Sequence, residues 1–195
     1  MSRAAPPPFL VGKQVRLRPV EMADAKGAYW RWLNDPETTR FLEVGQFPIT
    51  RKALEETVRA IRHDSRTVFL AIMLQRTNVH VGNLKLGPID WVHRHAPLGL
   101  IIGDKRFRGK GHGREAIELA LQYAFGRLNL NKVTLGVSVD HKTAVHLYQR
   151  VGFKIEGRLR QHLFREGAYH DKFVMGLLRD EFWKRMSDGA SRSSR

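Results

Sequence analysis

Lys105-Arg106-Phe107-Arg108-Gly109-Lys110-Gly111-His112-Gly113-Arg114 is the stretch that decides how this chain folds. Five of its ten residues are basic, none is acidic, and glycines alternate at 109, 111 and 113. Upstream lies the apolar run Leu98-Gly99-Leu100-Ile101-Ile102, the pattern of a buried strand. Downstream the spacing predicts a helix from about Gly113 to Leu128, with Ile117, Ala120, Leu121, Ala124, Phe125 and Leu128 on one face. A strand, a glycine-rich basic turn and a helix start can cradle an anion. Glycines let consecutive N–H groups turn onto a phosphate, the helix presents its positive end, and Arg and Lys neutralise the charge. A mononucleotide P-loop requires Ser or Thr after Gly-Lys, but Gly111 follows Lys110. A dinucleotide fingerprint requires a third glycine where Arg114 stands. A solvated basic turn is the plainer reading of this segment taken alone.

Outward from the turn, the pattern alternates strands and helices. Lys13–Pro19 alternates polar and apolar residues and reads as a strand ended by proline. Helices are expected over Ala23–Leu33 and Thr50–His63, the second capped by Thr50. Val68–Leu74 and Val79–Gly87 read as an antiparallel hairpin. After the basic turn and its helix come a strand at Val133–Val139, a helix at His141–Arg150, and strands at Phe153–Phe164 and His170–Leu178. The order is α+β or mixed α/β, with hairpins that exclude an all-parallel Rossmann sheet. Residues 1–8 are Pro-rich and 187–195 Ser/Arg/Gly-rich, so both are expected to be disordered tails around one domain at 9–186.

The 195 residues carry 34 Lys and Arg against 19 Asp and Glu, a net charge of +15. The excess is spread: 15 basic against 9 acidic side chains over 1–95, and 19 against 10 over 96–195. The partner or substrate is therefore expected to be anionic, or the surface to touch RNA. With no cysteine, a disulfide framework, a thiol nucleophile and a Cys-ligated metal are excluded. His93-x-His95 lacks a partner pair, so no metal is expected. No apolar run spans a bilayer and no signal-peptide core follows Met1, so a cytoplasmic protein is expected.

Two signatures stand in order. Arg108-x-x-Gly111-x-Gly113 precedes Glu115-Ala116, and His141-x-x-Ala144-x-x-Leu147-Tyr148-x-x-x-Gly152-Phe153 follows. Together they resemble the GNAT superfamily of acyl-CoA-dependent N-acetyltransferases. Trp32-Leu33-Asn34-Asp35-Pro36-Glu37, Glu156-Gly157-Arg158-Leu159-Arg160 and Gly167-Ala168-Tyr169-His170-Asp171 resemble its branch of ribosomal-protein-alanine acetyltransferases, RimJ and RimL. The resemblance implies a mixed, mostly antiparallel twisted sheet with a V-shaped split between two parallel strands, flanked by about four helices. It implies acetyl-CoA, its pantetheine arm on the backbone of Leu100, Ile101, Ile102 and Gly103 and its phosphates on the turn. Arg106, Arg108, Gly109, Lys110, Gly111, His112, Gly113 and Arg114 are the implied phosphate residues, with His141 and Ala144 at the second helix. Tyr148 is the implied catalytic residue, beside the sulfur, as hydrogen-bond or proton donor to the leaving thiolate.

Two positions depart from the family. Pro97 stands where relatives often carry a glutamate base, and His141 where they commonly carry asparagine. Asp90, His93, His95, Glu43 and Asp171 remain as base candidates. Glu37, Phe41, Glu43, Trp91 and His93 are candidate acceptor contacts. The expected acceptor is a primary amine, on a protein N-terminus or on an anionic small molecule such as an amino sugar nucleotide. A polycation such as spermidine is disfavoured by like charge. The alternative is a non-catalytic RNA- or ribosome-associated module on the same fold, and a homodimer is expected by resemblance.

Overall fold

The computed structural model describes residues 7–193. In chain order the elements are β1 (Leu10–Val11), β2 (Val15–Pro19), α1 (Met22–Lys26), α2 (Ala28–Leu33), α3 (Pro36–Thr39), α4 (Arg51–Arg62), β3 (Val68–Leu74), β4 (His80–Leu86), β5 (His95–Ile102), a 3-10 turn (Lys105–Phe107), α5 (His112–Gly126), β6 (Lys132–Ser138), α6 (Lys142–Val151), β7 (Lys154–Arg165), β8 (Ala168–Leu178) and α7 (Arg179–Ser193). The hydrogen-bonded strand order is β1-β2-β3-β4-β5-β6-β8-β7. β5 and β6 are parallel; β1–β2, β2–β3, β3–β4, β6–β8 and β7–β8 are antiparallel. The mixed α+β architecture is the expected one. The parallel pairing covers only His95↔Lys132, Ala96↔Val133 and Pro97↔Thr134, although β5 runs on to Ile102 and β6 to Ser138.

The chain forms two compact units. The first runs to Pro88 and resumes over Gly99–Ala120; the second holds Ile89–Leu98 and the chain from Leu121. β5 and α5 each contribute to both.

In the first unit, Val20, Ala25, Leu33, Leu54, Val58, Ala71 and Met73 form a buried cluster under α1, α2 and α4. Thr50 caps α4 as expected, its side chain accepting from Ala53 N at 3.1 Å. The helix expected over Ala23–Leu33 divides at Gly27, whose ψ of −139° is non-helical and whose N–H closes α1 on Asp24 O. Glycine is the weakest helix former after proline, and α1 needs a stop there to turn. Asp24 is buried beside Arg18, and both guanidinium nitrogens donate to its carboxylate at 2.7 Å. Burial alone would raise its pKa. The Arg18 bonds, the Glu21 N–H and the nearby charges hold it below the usual carboxylate range. The Glu115 carboxylate accepts the backbone N–H groups of Lys13, Gln14 (3.0 Å) and Val15 (3.1 Å), tying α5 to the start of β2.

In the second unit, β6 is paired with β8 along its whole length, and β7 forms the outer strand. Phe125, Leu130, Val133, Met175, Leu177 and Phe182 are buried here. α7 was not expected. Its composition is polar, and one anchor, Phe182, holds it at 1% exposure with its ring 5.4 Å from Phe125. α7 runs on as far as Ser193, into the segment expected to be a tail from 187. Extending a nucleated helix fixes few dihedrals per hydrogen bond gained. Residues 1–6 and 194–195, also expected to be disordered, lie outside the described residues. Among the described residues no helix is long and apolar enough to cross a membrane.

Two stability measurements test this account. Phe182→Ala is expected to lower unfolding free energy by about 3–5 kcal/mol in urea titrations, because it empties a fully packed site. Asp24→Asn is expected to cost about 3–5 kcal/mol at neutral pH by leaving Arg18 unpaired. The folded-state pKa of Asp24 is depressed, so wild-type stabilisation from this pair is complete above about pH 4 and is lost as pH falls further. The midpoint difference between wild type and Asp24→Asn should therefore narrow only below that pH.

Candidate active site

The edge of β5 has a definite polarity. The Gly103 N–H donates to Val81 O at 3.0 Å, and Ile101 O lies where a Cβ on Gly82 would meet it at 2.2 Å. Ile101 and Gly103 therefore turn their main-chain groups toward β4. Because strand groups alternate, those of Leu100 and Ile102 face away from β4. Of the four residues expected to hold the pantetheine arm, Leu100 has both main-chain groups facing away from β4 and Ile102 its N–H, the Ile102 carbonyl accepting from Arg108.

The turn after β5 is built by Asp104, whose side chain accepts from Arg106 N. Gly109 and Gly111 have φ of +73° and +87°, and a Cβ on Gly109 would meet nothing within 4 Å. Backbone conformation rather than crowding requires glycine at 109. Lys110 lies over the Phe107 ring at 5.6 Å. His112 opens α5 with Nδ1 buried and without a hydrogen-bond partner among the described residues. An N-terminal helix turn, two positive-φ glycines, five cations and a spare buried imidazole nitrogen suit a phosphate-bearing ligand such as coenzyme A.

The cations are already partnered. Lys105 Nζ donates to Glu37 at 2.5 Å and lies 3.4 Å from Asp35. Arg106 pairs with Asp104 and Arg114 with Glu118, at 2.7 and 2.8 Å. These pairs are exposed or half-exposed, so exchange for a phosphate is cheap. Arg108 differs. Its Nε donates to Ile102 O at 3.0 Å and its Nη2 to Thr38 Oγ1 at 2.8 Å, with Glu37 at 3.5 Å from Nη1. The motif arginine thus braces α3 against the end of β5. Trp32 packs on the same strand end, where a Cβ on Gly103 would come within 1.9–2.3 Å of its ring. No pattern around Thr38 signalled this, since its partner lies 70 residues away.

α6 carries the second signature. His141 occupies the N-cap without a side-chain cap bond, and Ala144 is half-buried. Tyr148 is 8% exposed, its ring 5.9 Å from Phe153. The N–H groups of Gly152 and Phe153 both donate to Tyr148 O, at 3.1 and 3.0 Å, so the Gly-Phe pair closes the helix on the tyrosine. The Tyr148 hydroxyl makes no hydrogen bond among the described residues. Desolvation pushes its pKa up to about 12, so it holds its proton at neutral pH.

The base candidates stand apart in chemistry. Asp90 Oδ1 accepts the N–H groups of Val92 (3.0 Å) and His93 (2.8 Å), and these bonds, chiefly the one from His93, hold its pKa down. Asp171 is held down by Gln161 N–H and Arg158. Carboxylates so stabilised bind protons weakly. The His93 and His95 rings stack at 6.3 Å, Trp91 is exposed beside them, and Pro97 is exposed on β5. Phe41 and Glu43 lie between α3 and α4, within the first unit, whereas Trp91 and His93 belong to the second. Half-buried His80, a position the pattern did not mark, packs edge-on against Trp32 at 4.9 Å, and desolvation lowers its pKa.

Residues 14–154 match the family model described as acetyltransferase (GNAT) domain. The chain belongs to the GNAT acetyltransferase family. It is an acyl-CoA-dependent N-acetyltransferase, and acetyl-CoA is its acyl donor. A spermidine N(1)-acetyltransferase of Vibrio cholerae is 36% identical over 132 residues, 68% of this chain and 75% of the relative. The crystal structure of spermidine N-acetyltransferase from Vibrio cholerae with CoA and spermine has a TM-score of 0.80 at 30% identity, covering 87% of this chain and 98% of that one. Another structure of the Vibrio cholerae enzyme is dodecameric and matches with a TM-score of 0.75 at 30% identity, covering 88% of this chain and 98% of that one. A Bacillus subtilis relative with a provisional ribosomal N-acetyltransferase name is 35% identical over 101 residues, 52% of this chain and 55% of the relative.

The Arg108 brace gives a testable consequence. Thr38→Val keeps side-chain volume but removes the acceptor, costing about 1.5–3 kcal/mol of local stability for a hydrogen bond to a charged group. Amide exchange over Glu37–Thr39 should accelerate while the circular dichroism spectrum stays unchanged.

Proposed function

We propose that this chain acetylates a primary amine carried by an anionic molecule, by direct attack on the thioester of acetyl-CoA. Acetyl-CoA supplies the activated acetyl group. The amine nitrogen forms a bond to the carbonyl carbon, the carbon–sulfur bond breaks, and the amine proton leaves to water. Tyr148 donates a hydrogen bond or proton to the departing sulfur, where negative charge develops. The main-chain groups of Leu100 and the N–H of Ile102 hold the pantetheine arm as an added strand would, and the Arg108–Gly113 turn holds the phosphates. With no cysteine, a thiol-linked acyl-enzyme is excluded.

The observation that carries the choice of acceptor is how the carboxylates are used. Asp24, Asp35, Glu37, Asp104, Glu118, Asp140, Glu156, Asp171 and Glu181 are each paired with a cation of the chain itself. A polyamine would have to displace those partners on a surface of net charge +15. A phosphate- or carboxylate-bearing amine meets no such competition. An N-terminus presented on ribosomal RNA has the same electrostatic character, and the resemblance to the RimJ and RimL branch favours it. The second reading is a polyamine acceptor, which the Vibrio cholerae relative favours.

Release of free CoA thiol against a panel of amines decides between them. Amines bearing a phosphate or carboxylate are expected to have the higher kcat/KM, and spermidine the lower; the reverse order overturns the anionic reading. Tyr148→Phe is expected to lower kcat about 100-fold or more with little change in KM. On binding CoA, the amides of Leu100 and Ile102 should gain exchange protection, while that of Gly103, already bonded to Val81, should not change.

A further inference from the structure

The two motifs near the chain end, Glu156–Arg160 and Gly167–Asp171, meet in the second unit at an irregular point of the β7–β8 ladder. Leu159 pairs with Lys172 and Leu163 with His170. Asp171 therefore stands alone opposite three residues, Arg160, Gln161 and His162, which bulge out of β7. Gln161 takes a φ of +51°, unusual for a residue with a Cβ. One carboxylate holds this loop: Asp171 Oδ1 accepts Gln161 N–H at 2.8 Å and Oδ2 accepts Arg158 Nε at 2.5 Å. Regular pairing is given up, and an ionised side chain compensates for it.

The result is a shallow depression lined by Arg158, Leu159, Arg160, Gln161, His162 and Asp171. Both Asp171 oxygens are occupied in shaping it. The nearby Arg165 guanidinium and His170 imidazole are committed to Asp140, at 3.0 and 2.6 Å. Arg160 and His162 are exposed and make no hydrogen bond or ion pair among the described residues. The depression presents an exposed guanidinium, whose charge also helps hold the Asp171 pKa down, an imidazole and a carboxamide. Its position is specific. Val139 N–H donates to Asp171 O at 3.1 Å, which places the bulge at the carboxyl end of β6, past the last residue paired with β5 and next to the start of α6.

We propose that the β7 bulge is an anion-recognition site that takes the phosphoryl group of the amine acceptor, with Arg160 and His162 as its binding side chains. The inference rests on the anionic-acceptor reading and gives it a location. A guanidinium offers paired donors to phosphoryl oxygens, and the imidazole adds a further donor. Asp171 is a positioning residue: it touches no ligand and sets the bulge from which Arg160 projects.

The test uses the full chain, isotope-labelled and saturated with CoA so that the Arg108–Gly113 turn is filled, and titrates it with inorganic phosphate. Saturable amide shifts are expected at Arg160, Gln161 and His162, with binding at least fivefold weaker in Arg160→Gln. Arg160 is exposed, so the variant should keep the wild-type thermal midpoint. In turnover, Arg160→Gln should raise KM for a phosphate-bearing amine about tenfold, the factor that about 1.4 kcal/mol of lost binding gives, and leave a neutral amine unchanged. Absent shifts, shifts that survive Arg160→Gln, or an equal KM change for both amines overturn the proposal. So does an oligoribonucleotide that binds the bulge through Arg160 more tightly than any phosphate-bearing amine. If no amine is acetylated, the functional reading fails while the phosphate titration still reports on the bulge. If anionic amines are acetylated but the bulge stays silent, the site alone falls.

Discussion

Hydrogen-bond geometry along β5 governs the rest of the molecule. A strand in a sheet has two edges, and each buried N–H and C=O must find a partner. β5 pairs with β6 for three residues and then keeps only its β4 side. Leu100 is left with main-chain groups directed away from β4, while the Ile102 carbonyl on that side accepts from Arg108, and Trp32 packs the strand end. The proposed pantetheine contact uses this edge as an added strand would. The glycine turn, the helix start and the basic side chains follow directly at its end, where the phosphates of the same ligand must go.

Charge acts at two levels. Taken as a sum, +15 indicates an anionic partner without locating it. Resolved into pairs, it says more. The cations of the cofactor turn are held by Asp35, Glu37, Asp104 and Glu118 in weak surface pairs, which keep them oriented and release them cheaply to a stronger anion. Arg108 is spent on main-chain and hydroxyl oxygens and so works as a brace. At the far end, Asp171 fixes the bulge, and Arg160 and His162 make no hydrogen bond among the described residues. Like charge on the surface argues against a polycation, whereas the polyamine acceptors of the Vibrio cholerae relatives argue for one. The difference lies in where carboxylates are free, which a net charge cannot express.

Much of this was legible in the residues. The strands around the basic turn, the apolar stripe of α5, the Thr50 cap and the helix carrying Tyr148 follow from local periodicity and capping. Where local rules failed, a distant contact or a short signal was responsible. Gly27 divides a helix that periodicity draws as continuous. α7 is too polar to be read from its own pattern and depends on Phe182 reaching Phe125, 57 residues earlier. Thr38 and Asp171 look like ordinary polar residues until Arg108 and Gln161 are placed beside them.

The sequence by itself determined the family and the acyl donor, because those depend on short motifs whose backbone conformations are set locally by glycine and helix starts. Only the tertiary structure decided which β5 groups face away from β4, which arginine is a brace and which is exposed, and where two separate motifs join to shape a bulge. Those outcomes depend on hydrogen bonds between residues far apart in the chain, and a one-dimensional pattern carries no distance between them.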